Sequence, residues 1–344
     1  MEEPKRTEIA SLGEFGLIER LSSKIQNTQK STVKGIGDDA AVFAPEKGAR
    51  MLMSTDMLLE GIHFDLSYMP LQHLGYKAVA VNVSDIAAMN GIPRQVTVNL
   101  GLTNRFSVEA VEAIYDGVIA ASREYNIDIV GGDTTSSQSG LVISVSILGS
   151  AKEDEIVYRN HASENDILCV TGDLGGAYVG LQVLEREKQE FLANPQMQPK
   201  LEKYQYVVGR QLRPRARMDI IHELRQLNVK PTAMIDISDG LVSDIFHLCK
   251  SSSLGVSIYE EKLPIFKETY ETAAEFGIDP NTCALNGGED YELLFTLRQE
   301  DFEKIEKMDD IQTVGYMHHK SKGRVMVTNA GNTVELQAQG WKHF

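Results

Sequence analysis

Two successive series of helix-spaced and strand-spaced apolar residues, parted by one polar stretch, hold this chain of 344 residues to a mixed fold in two parts. In the first series Tyr76, Val79, Ala80, Val83, Ile86 and Ala87 recur at helical spacing, and Gly91 with Pro93 supplies a stop. Ser107 is a good N-cap for a second helix through Val108, Val111, Ile114, Val118 and Ala121. A strand over 127–130 runs into Gly131-Gly132-Asp133, and residues 141–149 alternate branched apolar side chains with serines, a strand pattern. The polar segment AKEDEIVYRNHASEND then marks a boundary near 150–165. A second series follows: a strand in DILCVTG, a helix over 175–192, a helix opened by Pro214 through Met218, Ile221 and Leu224, a strand in MIDIS, a helix marked by Leu241, Ile245 and Leu248, a strand in YELLFTL, and a hairpin around 329–332. The expected class is α/β or α+β, in two domains over 1–152 and 153–344.

Charge narrows the partners. A net charge of −15 argues against nucleic acid or an anionic membrane, which need basic faces. Three widely spaced cysteines, Cys169, Cys249 and Cys283, outline no disulfide framework and no cysteine zinc site. The N-terminus has no secretory h-region, and no apolar run approaches a membrane span. A cytoplasmic address is the expectation.

The acids are not scattered evenly. They gather in GIGDDAA (Asp38, Asp39), STDMLLEGIHFD (Ser54, Thr55, Asp56, Glu60, His63, Asp65), VNVSDIAAMNG (Asn82, Asp85), GGDTT (Asp133), DISDGLVSD (Asp236, Ser238, Asp239) and GGEDYE (Glu289, Asp290). Any one of these reads first as a turn or a helix cap. Asp85 reads otherwise: it lies one helical turn from Asn82 in a stretch of Val, Ala and Ile, where a carboxylate is costly to bury without a partner. Together the motifs supply the oxygen ligands of a hard cation, Mg²⁺ or Ca²⁺, and lack the Cys and His of a zinc site. Since Mg²⁺ binds one or two carboxylates plus substrate phosphates, so many acids imply several ions and a polyphosphate between them.

Other nucleotide and hydrolase signatures are missing: there is no Walker loop, no protein-kinase set and no G-x-S-x-G elbow. The stretch Gly172-Asp173-Leu174-Gly175-Gly176 is a plain strand-to-helix turn, or else a phosphate site at a helix N-terminus.

In this order the motifs GEFGLI, GIGDDAA, STDMLLEGIHF, VNVSDIAAMNG, GGDTT, RPRAR, DISDGL and GGEDYELLF, with the terminal GWKHF, resemble the thiamine-monophosphate kinase family over almost the whole chain. The resemblance implies a two-domain aminoimidazole ribonucleotide synthetase-like fold. In it a mixed N-terminal sheet forms a barrel at a homodimer interface, and a C-terminal α/β domain completes a cleft. It implies metal ligands at Asp39, Ser54, Thr55, Asp56, Asp85, Asp133, Asp236 and Asp239. It places ATP near Tyr115, Gly132, Asp133, Arg159 and Ser238, and thiamine monophosphate near His63, Glu289 and Trp341. Each has a plainer reading: Arg159 as a surface arginine instead of a phosphate fork, Trp341 as a packing anchor instead of a face for the thiazolium cation, and His63 as a buried, hydrogen-bonded ring.

The implied reaction is direct in-line phosphoryl transfer with ATP and several Mg²⁺ ions, and no residue serves as a covalent nucleophile. Two other readings stand beside it. One is another ATP-dependent enzyme of the same superfamily. The selenophosphate branch would need a reactive Cys near the N-terminus, and the first here is Cys169; the hydrogenase-maturation branch carries a C-terminal Cys, and this chain ends Trp-Lys-His-Phe. The other is a non-catalytic nucleotide or metal sensor.

Overall fold

A computed structural model describes residues 6–37 and 39–340. The chain divides into two compact units, one of residues 1–86 with 91–154 and one of residues 87–90 with 155–344.

The first unit is built on a four-stranded sheet. Its elements are α1 (Ile9–Ser22), β1 (Thr32–Lys34), β2 (Val42–Phe43), β3 (Ala49–Leu59), α2 (Leu71–Ala88), β4 (Ile92–Leu102), α3 (Val108–Glu124), β5 (Asp128–Ser136) and β6 (Val142–Lys152). The strand order is β3-β6-β4-β5, antiparallel except for the β4–β5 pair. One face is apolar, with Ile143, Val145 and Ile147 of β6 and Val96, Val98 and Leu100 of β4 buried. α2 lies against it: Ile86 sits so close to Gly149 that a Cβ there would come within 2.6 Å of the isoleucine. α3 crosses α2 at a pair of glycines. A Cβ on Gly75 would fall 1.9 Å from the Ile114 carbonyl oxygen, and one on Gly117 would fall 1.9 Å from that of Gln72. The Ser107 hydroxyl caps α3 by accepting from Ala110 N at 3.3 Å, as the sequence predicts. β5 runs on past 130, so Gly131-Gly132-Asp133 lies within a strand and not at its end. Gly132 is required there by the close approach of β4.

The opposite face of this sheet carries Met51, Met53, Thr55 and Met57 on β3, Ser144 and Ser146 on β6, Thr97 and Asn99 on β4, and Asp133 on β5. The three methionines are 43%, 71% and 53% exposed, on an edge strand.

The second unit contains β7 (Ile167–Thr171), α4 (Gly176–Ala193), α5 (Gln205–Leu212), α6 (Met218–Gln226), β8 (Ala233–Asp236), α7 (Leu241–Ser252), β9 (Leu254–Tyr259), α8 (Lys267–Glu275), α9 (Pro280–Asn286), β10 (Leu293–Leu297), α10 (Phe302–Ile305), β11 (Ile311–His319), β12 (Arg324–Val327) and β13 (Thr333–Glu335). Its seven-stranded sheet has the order β13-β12-β9-β11-β7-β10-β8, and only β12 and β9 run parallel. Leu168, Val170, Ile235, Leu294, Val256 and Ile258 of the sheet share a core with Leu241, Ile245 and Leu248 of α7. Pro214 does not open a helix. Residues 214–217 have no regular structure and α6 begins at Met218, because Arg217, the last residue of RPRAR, is drawn into ion pairs with Asp219, Glu292 and Asp310 at a non-helical backbone position. The hairpin at 329–332 joins β12 to β13.

Candidate active site

In the first unit, β3 and α2 bring three of the expected residues together. Strand alternation turns Leu52, Ser54, Asp56 and Leu58 toward the helices. The Ser54 hydroxyl donates to Asp85 Oδ2 on α2. Asp56 stands in the field of the same carboxylate, and burial together with the Asp85 charge pushes its pKa up to about 6. Thr55 points the other way: its hydroxyl donates to Val145 O at 2.9 Å and accepts from Ser146 at 3.0 Å.

Asp133 does not join that group. Asp133 is exposed, and the register Asp56–Val145–Val98–Gly132 beside Met57–Ser144–Asn99–Asp133 puts it on the opposite face from Asp56. Three strand spacings of ~4.8 Å also separate β5 from β3, roughly 14 Å in all. Asp39 is exposed in the loop after β1. His63 is half-buried and its Nδ1 accepts from Leu59 N at 3.1 Å, which leaves the neutral ring's proton on Nε2. Tyr115 is buried in α3 among the core residues, which pushes its phenol up to about 12.

In the second unit Asp236 ends β8, buried, and Ser238 and Asp239 follow in the turn before α7. Gly240 takes φ +111°, and a Cβ on it would press on the Asn286 backbone at 3.0 Å, so the DISDG turn needs its glycine. Glu289 comes to this turn through its backbone: Glu289 N donates to Ser238 O at 2.8 Å and Tyr291 N donates to Ile237 O at 2.9 Å. Both Glu289 and Tyr291 hold positive φ, +65° and +51°, a conformation that non-glycine residues adopt at a cost. Arg159 is exposed, its carbonyl accepting from the Ser252 hydroxyl at 2.9 Å. Trp341, like Asp38, lies outside the described residues.

Among the described residues no three His, Cys, Asp or Glu side chains stand close enough to hold a metal ion by themselves. The Gly172–Gly176 turn does not wait for a phosphate: the Asp290 carboxylate occupies the N-terminus of α4, accepting from Gly175 N at 2.8 Å and Ala177 N at 3.3 Å. Burial nonetheless pushes Asp290 up to about 7, against the pull of Arg210.

Models of the AIR synthase related protein N-terminal domain and C-terminal domain match residues 37–151 and 163–334. The thiamine-monophosphate kinase of Aquifex aeolicus (strain VF5) is 35% identical over 98% of this chain and 99% of its own length. The chain belongs to the thiamine-monophosphate kinase family. The family's enzyme from Bacillus subtilis (strain 168) is 32% identical over 97% of this chain and 100% of its own length. A solved member of the family, AaThiL complexed with AMPPCP and TMP, is 32% identical, with a TM-score of 0.74 over the whole of both chains.

One buried acid beside the DISDG turn escapes sequence reasoning. Asp244, 2% exposed on α7, accepts from Asp239 N at 3.3 Å, and burial with the charges of Asp236 and Asp239 pushes it up to about 8. Its signal was available: it shares the buried face of Leu241, Ile245 and Leu248, as Asp85 shares that of α2. The buried Arg210–Glu292–Arg217 chain, two ion pairs of 2.8 Å each that join RPRAR to GGEDYE, left no such trace, because its partners are 75 to 82 positions apart.

Proposed function

We propose that this chain transfers the γ-phosphoryl group of ATP to thiamine monophosphate, giving thiamine diphosphate and ADP. The observation that carries the reading is the Ser54–Asp56–Asp85 group, set on a family frame that relatives named thiamine-monophosphate kinase share end to end. Two carboxylates, one of which resists ionisation because it is buried and stands in the field of the other, are suited to a hard cation, and the hydroxyl bonded to Asp85 is a further oxygen donor. Mg²⁺ bound there supplies charge neutralisation of the phosphates and of the transition state.

The roles follow the chemistry of each side chain. Ser54, Asp56 and Asp85 form the centre of metal binding in the first unit, with Asp39, Thr55 and Asp133 as further ligands, and Asp236 and Asp239 offer metal ligands in the second unit. The family resemblance assigns Gly132, Asp133, Arg159 and Ser238 to ATP, and His63, Glu289 and the undescribed Trp341 to the acceptor. Tyr115 sits too deep in α3 for the nucleotide and serves packing. An oxygen of the acceptor phosphate, anionic near neutral pH, attacks the γ-phosphorus in line; the new P–O bond forms as the β–γ bridge breaks and ADP leaves. No side chain needs to take a proton or form a covalent bond, so the chain's work is to orient two anions and keep them together.

A single copy leaves that work unfinished, since Asp133 lies across the sheet from Asp56. The exposed methionine face of β3 suits a second copy, and a homodimer formed there would bring Asp133 on β5 of one copy toward Thr55, which shares that face, on β3 of the other. A reducing cytoplasm fits three buried free thiols and, among the described residues, no helix long and apolar enough to cross a membrane.

The test is to incubate the purified protein with Mg-ATP and thiamine monophosphate and weigh the product. Thiamine diphosphate in step with ADP is the expected result. ATP that binds while no phosphate moves to this acceptor, or ADP released only with a purine precursor, defeats the reading in favour of a sensor or of another superfamily reaction.

A further inference from the structure

The segment that carries Glu289 is gripped from α5 by two consecutive residues. Arg210 Nη2 donates to the carbonyls of Asp290, at 3.1 Å, and of Asp173, at 3.0 Å, while its Nη1 pairs with Glu292 at 2.8 Å. The next residue, Gln211, reaches the neighbouring acid: its Nε2 donates to Glu289 Oε2 at 2.7 Å. A carboxylate only accepts, so the amide must turn its nitrogen that way. Gln211 is 5% exposed, whereas Glu289 is half-buried, so the donor is fixed in the interior and the acceptor stands at the margin. The positive φ of Glu289 and its backbone bond to Ser238 O already set where the side chain starts. Three torsions remain between backbone and carboxylate, and a half-buried hydrogen bond to the carboxylate restricts that freedom.

We infer that Gln211 is a positioning residue for the acceptor substrate: it holds the Glu289 carboxylate aimed at the cationic, amino-bearing thiamine moiety. This rests on the proposed function and on Glu289 facing the acceptor. The division of labour on α5 is the reason to single Gln211 out. Arg210 braces backbone and buried acids, and its loss is a loss of fold. The Nε2 bond of Gln211 goes to a side chain, and its loss leaves the Arg210 brace of the loop backbone in place.

The experiment is steady-state kinetics on the full chain with Mg-ATP and thiamine monophosphate, for Gln211→Met, Glu289→Gln and the double variant. Met keeps the length and removes the donor. Gln211→Met is expected to raise KM for thiamine monophosphate roughly 10-fold, the scale of one hydrogen bond to a charged group, with KM for ATP unchanged. The double variant is expected to be no worse than Glu289→Gln alone, because both changes break one interaction. Gln211→Glu gives a second measurement should Met fold poorly. At high pH two facing carboxylates repel and KM for the acceptor rises; as pH falls and one is protonated the donor returns and KM recovers, a behaviour that a packing role would not produce. Three results overturn the inference: an unchanged acceptor KM in Gln211→Met, equal damage to both substrates, or additive losses in the double variant. Failure of the functional reading looks different, since the unmodified chain would then not turn over thiamine monophosphate at all. A chain that does turn it over, with a damaging Glu289→Gln and a harmless Gln211→Met, refutes only the role of Gln211.

Discussion

Asp56 shows what one residue gives up for function. Its carboxyl, lifted to about 6 by burial and by Asp85, is ionised at a cost whenever no cation is bound. The folded pKa exceeds the unfolded value, so the penalty is absent below about pH 4 and grows as pH rises through 6. Asp56→Asn should therefore melt higher than the parent in EDTA at pH 8, by an amount worth about 1 kcal/mol after allowing for its partial exposure, and the gap should close toward pH 4. Thermal melts across that range check it; a variant less stable at pH 8 would mean that the carboxylate is already compensated within the chain. The same substitution should cost kcat on the order of 10²-fold or more at saturating Mg²⁺, the scale of losing an electrostatic stabiliser, measured as ADP release. Asp244, lifted to about 8, follows the same sign, and Asp244→Asn should likewise gain stability as pH rises from 4 toward 8.

At the level of elements, the crossing of α2 and α3 depends on the absence of two methyl groups. Gly117→Ala would drive a Cβ into the Gln72 carbonyl and should destabilise the first unit by about 2 kcal/mol or more. Ser107→Ala, which only removes the cap of α3, should cost about 1 kcal/mol. Denaturant unfolding ranks the two, and the reverse order would refute the packing argument. Helices were legible because their signals are local: Ser107, the period of Val111, Ile114 and Val118, and the Gly91-Ile92-Pro93 stop are all read within a few residues. Asp85 was legible as a polar anomaly on an apolar face. What stayed hidden depends on pairing across distance. The length of β5 past Gly131 is set by its ladder with β4, the start of α6 by ion pairs that Arg217 makes with Glu292 and Asp310, and the face on which Asp133 falls by the register of four strands. No local pattern carries that information.

For the whole molecule, the exposed methionines of β3 give a test of the second copy. Met53→Lys, at a position 71% exposed, puts a charge on the proposed interface and should shift the protein from dimer to monomer in analytical ultracentrifugation. A variant that sediments as the parent does would refute the methionine face as the interface. The grip of α5 on neighbouring acids has a consequence for how such chains can change length. One residue added within that helix turns everything beyond it by about 100°, so arginine and glutamine would trade targets and both would miss. Single-residue insertions should thus be ruinous inside α5 yet harmless a few positions upstream, where residues 194–200 are exposed to solvent. Drift in size is confined to the leash and denied to the hand.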